Sequence, residues 1–243
     1  MSNRPKGKSE SVILPGEAEQ DNSSSASGQM REQDTRVVGE LERPTLDTST
    51  DRCPENLSQL GWSHLEQFRQ FGTLNDLEDA IEFLSRALAL TPDGQPDKSH
   101  RHANLAVSCG IRYQRLGELA DLEKAIECFS RALALTPEGH PDMSHRHGNL
   151  GVCHTHRFQR LGELADLETA IGCHSRALES TPDGHPDMSH QYANLGVSHT
   201  HRFQRLGELE DLEKAIEFHS RALALTPDGH PDMSNRHASL GVS

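Results

Sequence analysis

Residues 151–158, GVCHTHRF, gather a Cys, two His and an Arg within eight positions. Thiolate and imidazole are zinc ligands, and the same side-chain types serve nucleophilic and acid–base catalysis. One helix cannot bring both imidazoles to one ion. Successive helical residues rotate by about 100°, so His154 and His156 diverge by roughly 160°. Cys153 and His156 are three apart and can pair, which leaves a tetrahedral site two ligands short. His174, on the following helix, can meet His154, as His219 can meet His199. The equivalent pair is Cys109 and Phe129 in one unit, and His64 and Leu84 in another. A slot that accepts Phe, Leu or His is a packing slot, so half-buried, hydrogen-bonded histidine is expected there rather than a metal ligand.

His140, His185 and His230 recur at intervals of 45 residues. Stacked helices stand roughly 8–10 Å apart, so neighbouring rungs of this ladder are too distant to share an ion. Exposed, solvated imidazoles are expected. GELADLE and PDG lack the spacing of a phosphate loop. No nucleophile, base and orienting group stand together. The expectation is a chain with no catalytic residue, no metal and no cofactor.

The pattern that positions these residues is a repeat. DLE begins at Asp76, Asp121, Asp166 and Asp211, and each is followed by LTPDG or a near copy, then PD, then NLG or a relative. The units are 54–98, 99–143, 144–188 and 189–233, and residues 234–243 begin a fifth. The third and fourth are identical at 35 of 45 positions. A fixed period of this size marks a solenoid, in which each unit buries its apolar face on its neighbours.

Each unit reads as two helices. In the third, His140-Pro141-Asp142 is an entry turn that puts Pro at the first helical position. Leu150, His154, Phe158 and Leu161 then form one stripe, which Gly162 ends. Asp166 is positioned to cap a second helix with the stripe Leu167, Ala170, Ile171, His174, Ala177 and Leu178. Thr181-Pro182-Asp183-Gly184 stops it. Residues 1–53 (EAEQDNSSSASGQMREQD within them) have few apolar residues and no periodicity, which predicts a disordered tail.

Composition narrows the class. The 243 residues are 33% apolar and 4% aromatic, too lean for a thick globular core. A net charge of −13 argues against a general nucleic-acid or anionic-membrane binder. No apolar run approaches the ~18 residues of a membrane span. VILP, near the basic start, is too short for a signal peptide. Five Cys without framework spacing predict reduced thiols and a cytoplasmic protein.

Ala125, Phe129, Ala132 and Pro137, and likewise Ala170, His174, Ala177 and Pro182, resemble the second helix of a tetratricopeptide repeat, with His in place of the aromatic. Leu150-Gly151 resembles the Leu-Gly of that repeat's first helix. The unit departs from the usual ~34 residues. Its long form, NLG…RF.RLGEL.DLEKAIE…RALALTPDGHPD, resembles fungal tetratricopeptide proteins, some of which carry a caspase-like protease domain after the array, and also kinesin light chains. The resemblance covers residues 54–243 and implies an all-α, right-handed superhelical solenoid that binds other proteins. The other reading it implies is the sensor region of a larger enzyme such as a caspase-like protease.

The resemblance also implies that one helix of each pair faces a concave surface where extended peptides bind, and the first helix carries a second stripe. His145, Asn149, Cys153, His156 and Arg160 fall within about 80° on that helix. The candidate peptide-binding residues are Asn104, Asn149 and Asn194, Arg115, Arg160 and Arg205, and His156 and His201. Asn is a poor mid-helix residue, and its amide both donates to and accepts from a peptide backbone. Equally, it could lock one helix to the next. Residues 144–161 carry Arg146, Arg157 and Arg160 and no acid, so an acidic peptide is the expected partner. The chain stops at Ser243 before the second stripe of its fifth unit. That predicts either a longer array or self-association through an uncapped end.

Overall fold

The computed structural model describes residues 53–242. The tail expected over residues 1–53 thus lies outside the described residues, apart from Cys53. Among the described residues every regular element is helical. The helices are α1 (Pro54–Phe71), α2 (Leu74–Ala89), α3 (Lys98–Leu116), α4 (Leu119–Ala134), α5 (Met143–Leu161), α6 (Leu164–Glu179), α7 (Met188–Leu206), α8 (Leu209–Ala224) and α9 (Met233–Val242). Odd-numbered helices are the A helix of a repeat and even-numbered helices its B helix. Each A packs on its own B, and each B packs on the next A. The result is an all-α solenoid of helix–turn–helix repeats.

Two residues join A to B. Gly162 takes the left-handed conformation (φ 73°), and its N–H reaches the Phe158 carbonyl at 2.6 Å. That arrangement closes α5 and reverses the chain with a residue that has no Cβ to resist it. The longer B-to-A connection is held by threonine. Thr181 donates its hydroxyl back to the Ala177 carbonyl at 2.7 Å, and Ser144 Oγ lies 2.5 Å from Thr181 Oγ1, tying the start of α5 to the end of α6.

Helix B follows its stripe closely. Leu167, Ala170, His174 and Ala177 are buried and Ile171 and Leu178 half-buried. Helix A follows it only in part. Leu150 and His154 are buried and Phe158 is half-buried, but Leu161 is 45% exposed. Helix α5 has 19 residues and α6 has 16; Leu161 ends α5 just ahead of the two-residue turn into α6.

Two expected helix starts are different in the structure. Pro141 is not the first helical residue: the segment ahead of Met143 is a turn, with the Met143 N–H on the His140 carbonyl at 3.0 Å. Nor does Asp166 cap α6. The cap position is Glu163, in extended conformation and without a side-chain hydrogen bond, and Asp166 sits in the first turn with its side chain drawn under α5.

The pair is unusually close where Gly151 faces His174. A Cβ on Gly151 would stand 2.5 Å from the imidazole; Gly196 meets His219 in the same way at 2.6 Å. The Gly of each NLG is therefore the socket for a buried ring of helix B. At the far end of the array α8 packs on α9. His219 is buried, Leu223 half-buried, and Ile216 and Leu225 are exposed. Leu135 of the second repeat has the same 46% exposure as Leu225, so that exposure belongs to the repeat, whereas Ile216 is exposed where Ile126 and Ile171 are half-buried.

Candidate functional site

GVCHTHRF separates into three structural tasks. His154 Nδ1 lies 3.0 Å from Asp166 Oδ1, and Arg157 Nε donates to the same oxygen at 2.7 Å. Burial pushes the Asp166 carboxyl up, but the bonds from Arg157 and His154 outweigh it and hold the group below its usual range. Burial lowers the His154 imidazole, and the bond to Asp166 only partly offsets that. A neutral ring donating Nδ1–H to an ionised Asp166 fits both directions. The fourth repeat repeats the cluster, with His199 Nδ1 at 2.8 Å from Asp211 and Arg202 Nε at 2.8 Å. The second keeps only the arginine, Arg112 Nε to Asp121 at 2.8 Å, because Cys109 replaces the histidine. The full His–Asp–Arg clasp binds α5 to the start of α6 and α7 to the start of α8.

The other two tasks are core and junction. Cys153 is 1% exposed, and burial raises its thiol far above the reactive range. That is the surrounding of a structural cysteine packed in the core. His156 instead leaves the core and meets Tyr113 of the preceding repeat edge-on, centroids 5.6 Å apart. His201 is placed alike, 5.9 Å from the Phe158 ring and with Nε2 3.1 Å from Gln159 Nε2. Among the described residues no three His, Cys, Asp or Glu side chains converge as a metal site.

The candidate face of helix A divides along its length. Asn149 is 3% exposed and so is buried, whereas Asn104 and Asn194 are half-buried. Arg115, Arg160 and Arg205 are exposed in the last turns of α3, α5 and α7. Beside them Leu116, Leu161 and Leu206 are 44–45% exposed. His156 and His201 lie half-buried between neighbouring A helices. The stripe expected as one open face is therefore closed at Asn149 and Cys153 and open at its C-terminal end.

Its charge is also smaller than the arginine count suggests. Arg157 is committed to Asp166. Arg146 is buried and donates to Ser99 of the preceding repeat at 3.2 Å, to the Ala132 carbonyl at 3.5 Å, to Thr136, and to Asp142 at 2.9 Å. Of the three arginines in residues 144–161, Arg160 alone is exposed. Of the loop histidines, His140 and His185 are exposed as expected and His230 is half-buried, and all three also make a local hydrogen bond. His140, His185 and His230 each accept, through Nδ1, the backbone N–H two residues on, at 3.2, 3.3 and 3.2 Å. The aspartates at those positions, Asp142, Asp187 and Asp232, also approach His100, His145 and His190 of the preceding A helix at 3.7, 3.4 and 3.2 Å. Sequence reasoning missed these bridges, although the H-x-D spacing in every HPD turn was visible.

Residues 190–232 match the family model described as tetratricopeptide repeat. The array is tetratricopeptide-like. Among solved structures it is similar to "BtubC (BKLC) from P. vanneervenii" (TM-score 0.51, 20% identity, covering 80% of this chain and 83% of that one). A structure titled "Crystal structure of MamA protein" gives a TM-score of 0.49 at 17% identity, covering 76% and 82%. At these identities the likeness concerns the fold alone. No curated protein sequence matches the chain. No helix among the described residues is long and apolar enough to cross a membrane.

Proposed function

We propose that the array is a protein-interaction scaffold that binds an extended acidic peptide segment along the A helices, near their C-terminal ends. The observation that carries this is the recurrence of an exposed arginine beside an exposed leucine in three successive repeats: Arg115-Leu116, Arg160-Leu161 and Arg205-Leu206. Arg146 and Arg157 are consumed by internal partners, so the exposed arginines are the cations left to meet an outside ligand. Each has a leucine next to it, which favours a peptide in which acidic and apolar residues recur together. Asn104 and Asn194, half-buried on the same helices, supply amides for its backbone, and His156 and His201 border them. Asn149 is assigned to the lock between repeats.

A fluorescein-labelled peptide of alternating Glu and Leu, followed by anisotropy, tests this. Arg160→Ala and Arg205→Ala should each weaken its binding by about 0.5–3 kcal/mol, and added salt should weaken it further. Equal binding of the Lys-for-Glu peptide, or no loss in the double variant, would overturn the reading.

A further inference from the structure

A cavity of about 410 Å³ opens where the turn after α2 meets α3 and the end of α4. Small-ligand pockets occupy ~300–1,000 Å³. Leu88 and Leu135 form apolar walls, and Lys98, His102 and Arg131 line the remainder. The cavity sits at the opposite end of α3 from Arg115, so it is separate from the peptide surface proposed above.

Lys98 and Arg131 are the cations of its lining. Lys98 is part-buried, with Nζ donating to the Thr91 carbonyl at 3.0 Å and to the Asp93 carboxylate. His102 lines the cavity with Lys98 and Arg131, and burial first, then those two charges, hold its imidazole below its usual value. Its Nδ1 is buried and has no hydrogen-bond partner among the described residues. Asp93 is 98% exposed and makes an ion pair that water largely screens. It lies over Lys98 as a carboxylate from outside would. The charge is particular to this junction, because Met143, Met188 and Met233 stand where Lys98 does in the later repeats.

We propose that this cavity binds a small carboxylate with an apolar body, its carboxylate displacing Asp93 from Lys98 and facing Arg131, its chain lying between Leu88 and Leu135. A carboxylate is favoured because Asp93 already shows that group seated on the ammonium. The apolar walls exclude a fully hydrated ion as the best fit.

Octanoate is the probe, titrated into the full chain by calorimetry and by the methyl resonances of Leu88 and Leu135. Octanol supplies the tail without the charge, and acetate the charge without the tail. Octanoate should bind about tenfold tighter than either, and Lys98→Met should weaken it about tenfold, as expected for loss of a charge-assisted hydrogen bond. Met is native at three equivalent positions, so the fold should tolerate it; Lys98→Gln serves as a second variant with a polar end. Asp93→Ala should strengthen octanoate binding severalfold by removing the competing carboxylate. Octanol binding as tightly as octanoate would reduce the cavity to an apolar cleft. Octanoate binding unchanged in both Lys98 variants would also overturn the proposal.

Discussion

At the residue scale, the buried histidines set a limit on acid stability. His174 is fully enclosed and burial lowers it to about 3; His219 is lowered to about 4. Both are neutral in the folded chain. In the unfolded chain each takes up a proton as the pH falls below about 6.5, and the fold cannot. Their contribution is therefore complete above about pH 6.5 and declines as the pH falls towards those folded values, by about 1.4 kcal/mol per pH unit for each histidine. His174→Phe, the residue found in this slot at Phe129, should reduce the stability lost between pH 7 and pH 5 by about 2 kcal/mol. Urea unfolding at the two pH values checks this. An unchanged difference would mean that His174 charges in the folded state. Asn149 belongs to the same scale. Because it is buried, Asn149→Ala should cost about 1–3 kcal/mol, while Asn194→Ala should act more on peptide binding than on unfolding. Similar losses of stability at the two positions would remove that distinction.

At the scale of the element, one missing Cβ governs how closely two helices approach. Gly151 lets α5 close over the His174 ring, and the second repeat accepts Ala106 opposite Phe129. The second repeat thus holds a larger ring with a Cβ present, whereas α5 and α6 use the space that Gly151 leaves. Gly151→Ala should destabilise the array by about 1–3 kcal/mol through overpacking. Combining it with His174→Ala should recover a good part of that loss, which a double-mutant cycle would measure. Additive losses would show that the crowding lies elsewhere.

At the scale of the whole molecule, stability is a chain of neighbour contacts rather than one core. Arg146 is such a link, since its guanidinium spans Ser99, the end of α4 and Asp142. Arg202 makes another, donating to Glu168 of the preceding repeat at 3.1 Å as well as to its own Asp211. Removing Arg146 takes a donor from two half-buried groups, Asp142 and Thr136, and the link to Ser99 with it. Arg146→Ala should cost about 3 kcal/mol, and hydrogen exchange should rise in α3 to α5 while α7 and α8 keep their protection. A uniform rise along the array would instead mean that the repeats unfold as one unit.

The sequence by itself determined the number and order of the helices, the Gly162 turn, and the stripe of helix B. These follow from local period and turn chemistry, which one unit of 45 residues carries complete. It also excluded a shared ion for His154 and His156, because that depends only on helical rotation. What only the tertiary structure decided is the fate of each polar side chain. Asp166 reads as a cap because Asp near a helix start usually is one, but here α5 crosses it with His154 and Arg157 at bonding distance, and two strong donors outcompete a backbone N–H. Asn149 and Arg160 lie on one helical stripe, and rotation cannot tell them apart. Packing buries Asn149 in the middle of α5 and leaves Arg160, in its last turn, exposed, and that difference is not written in the helical rotation.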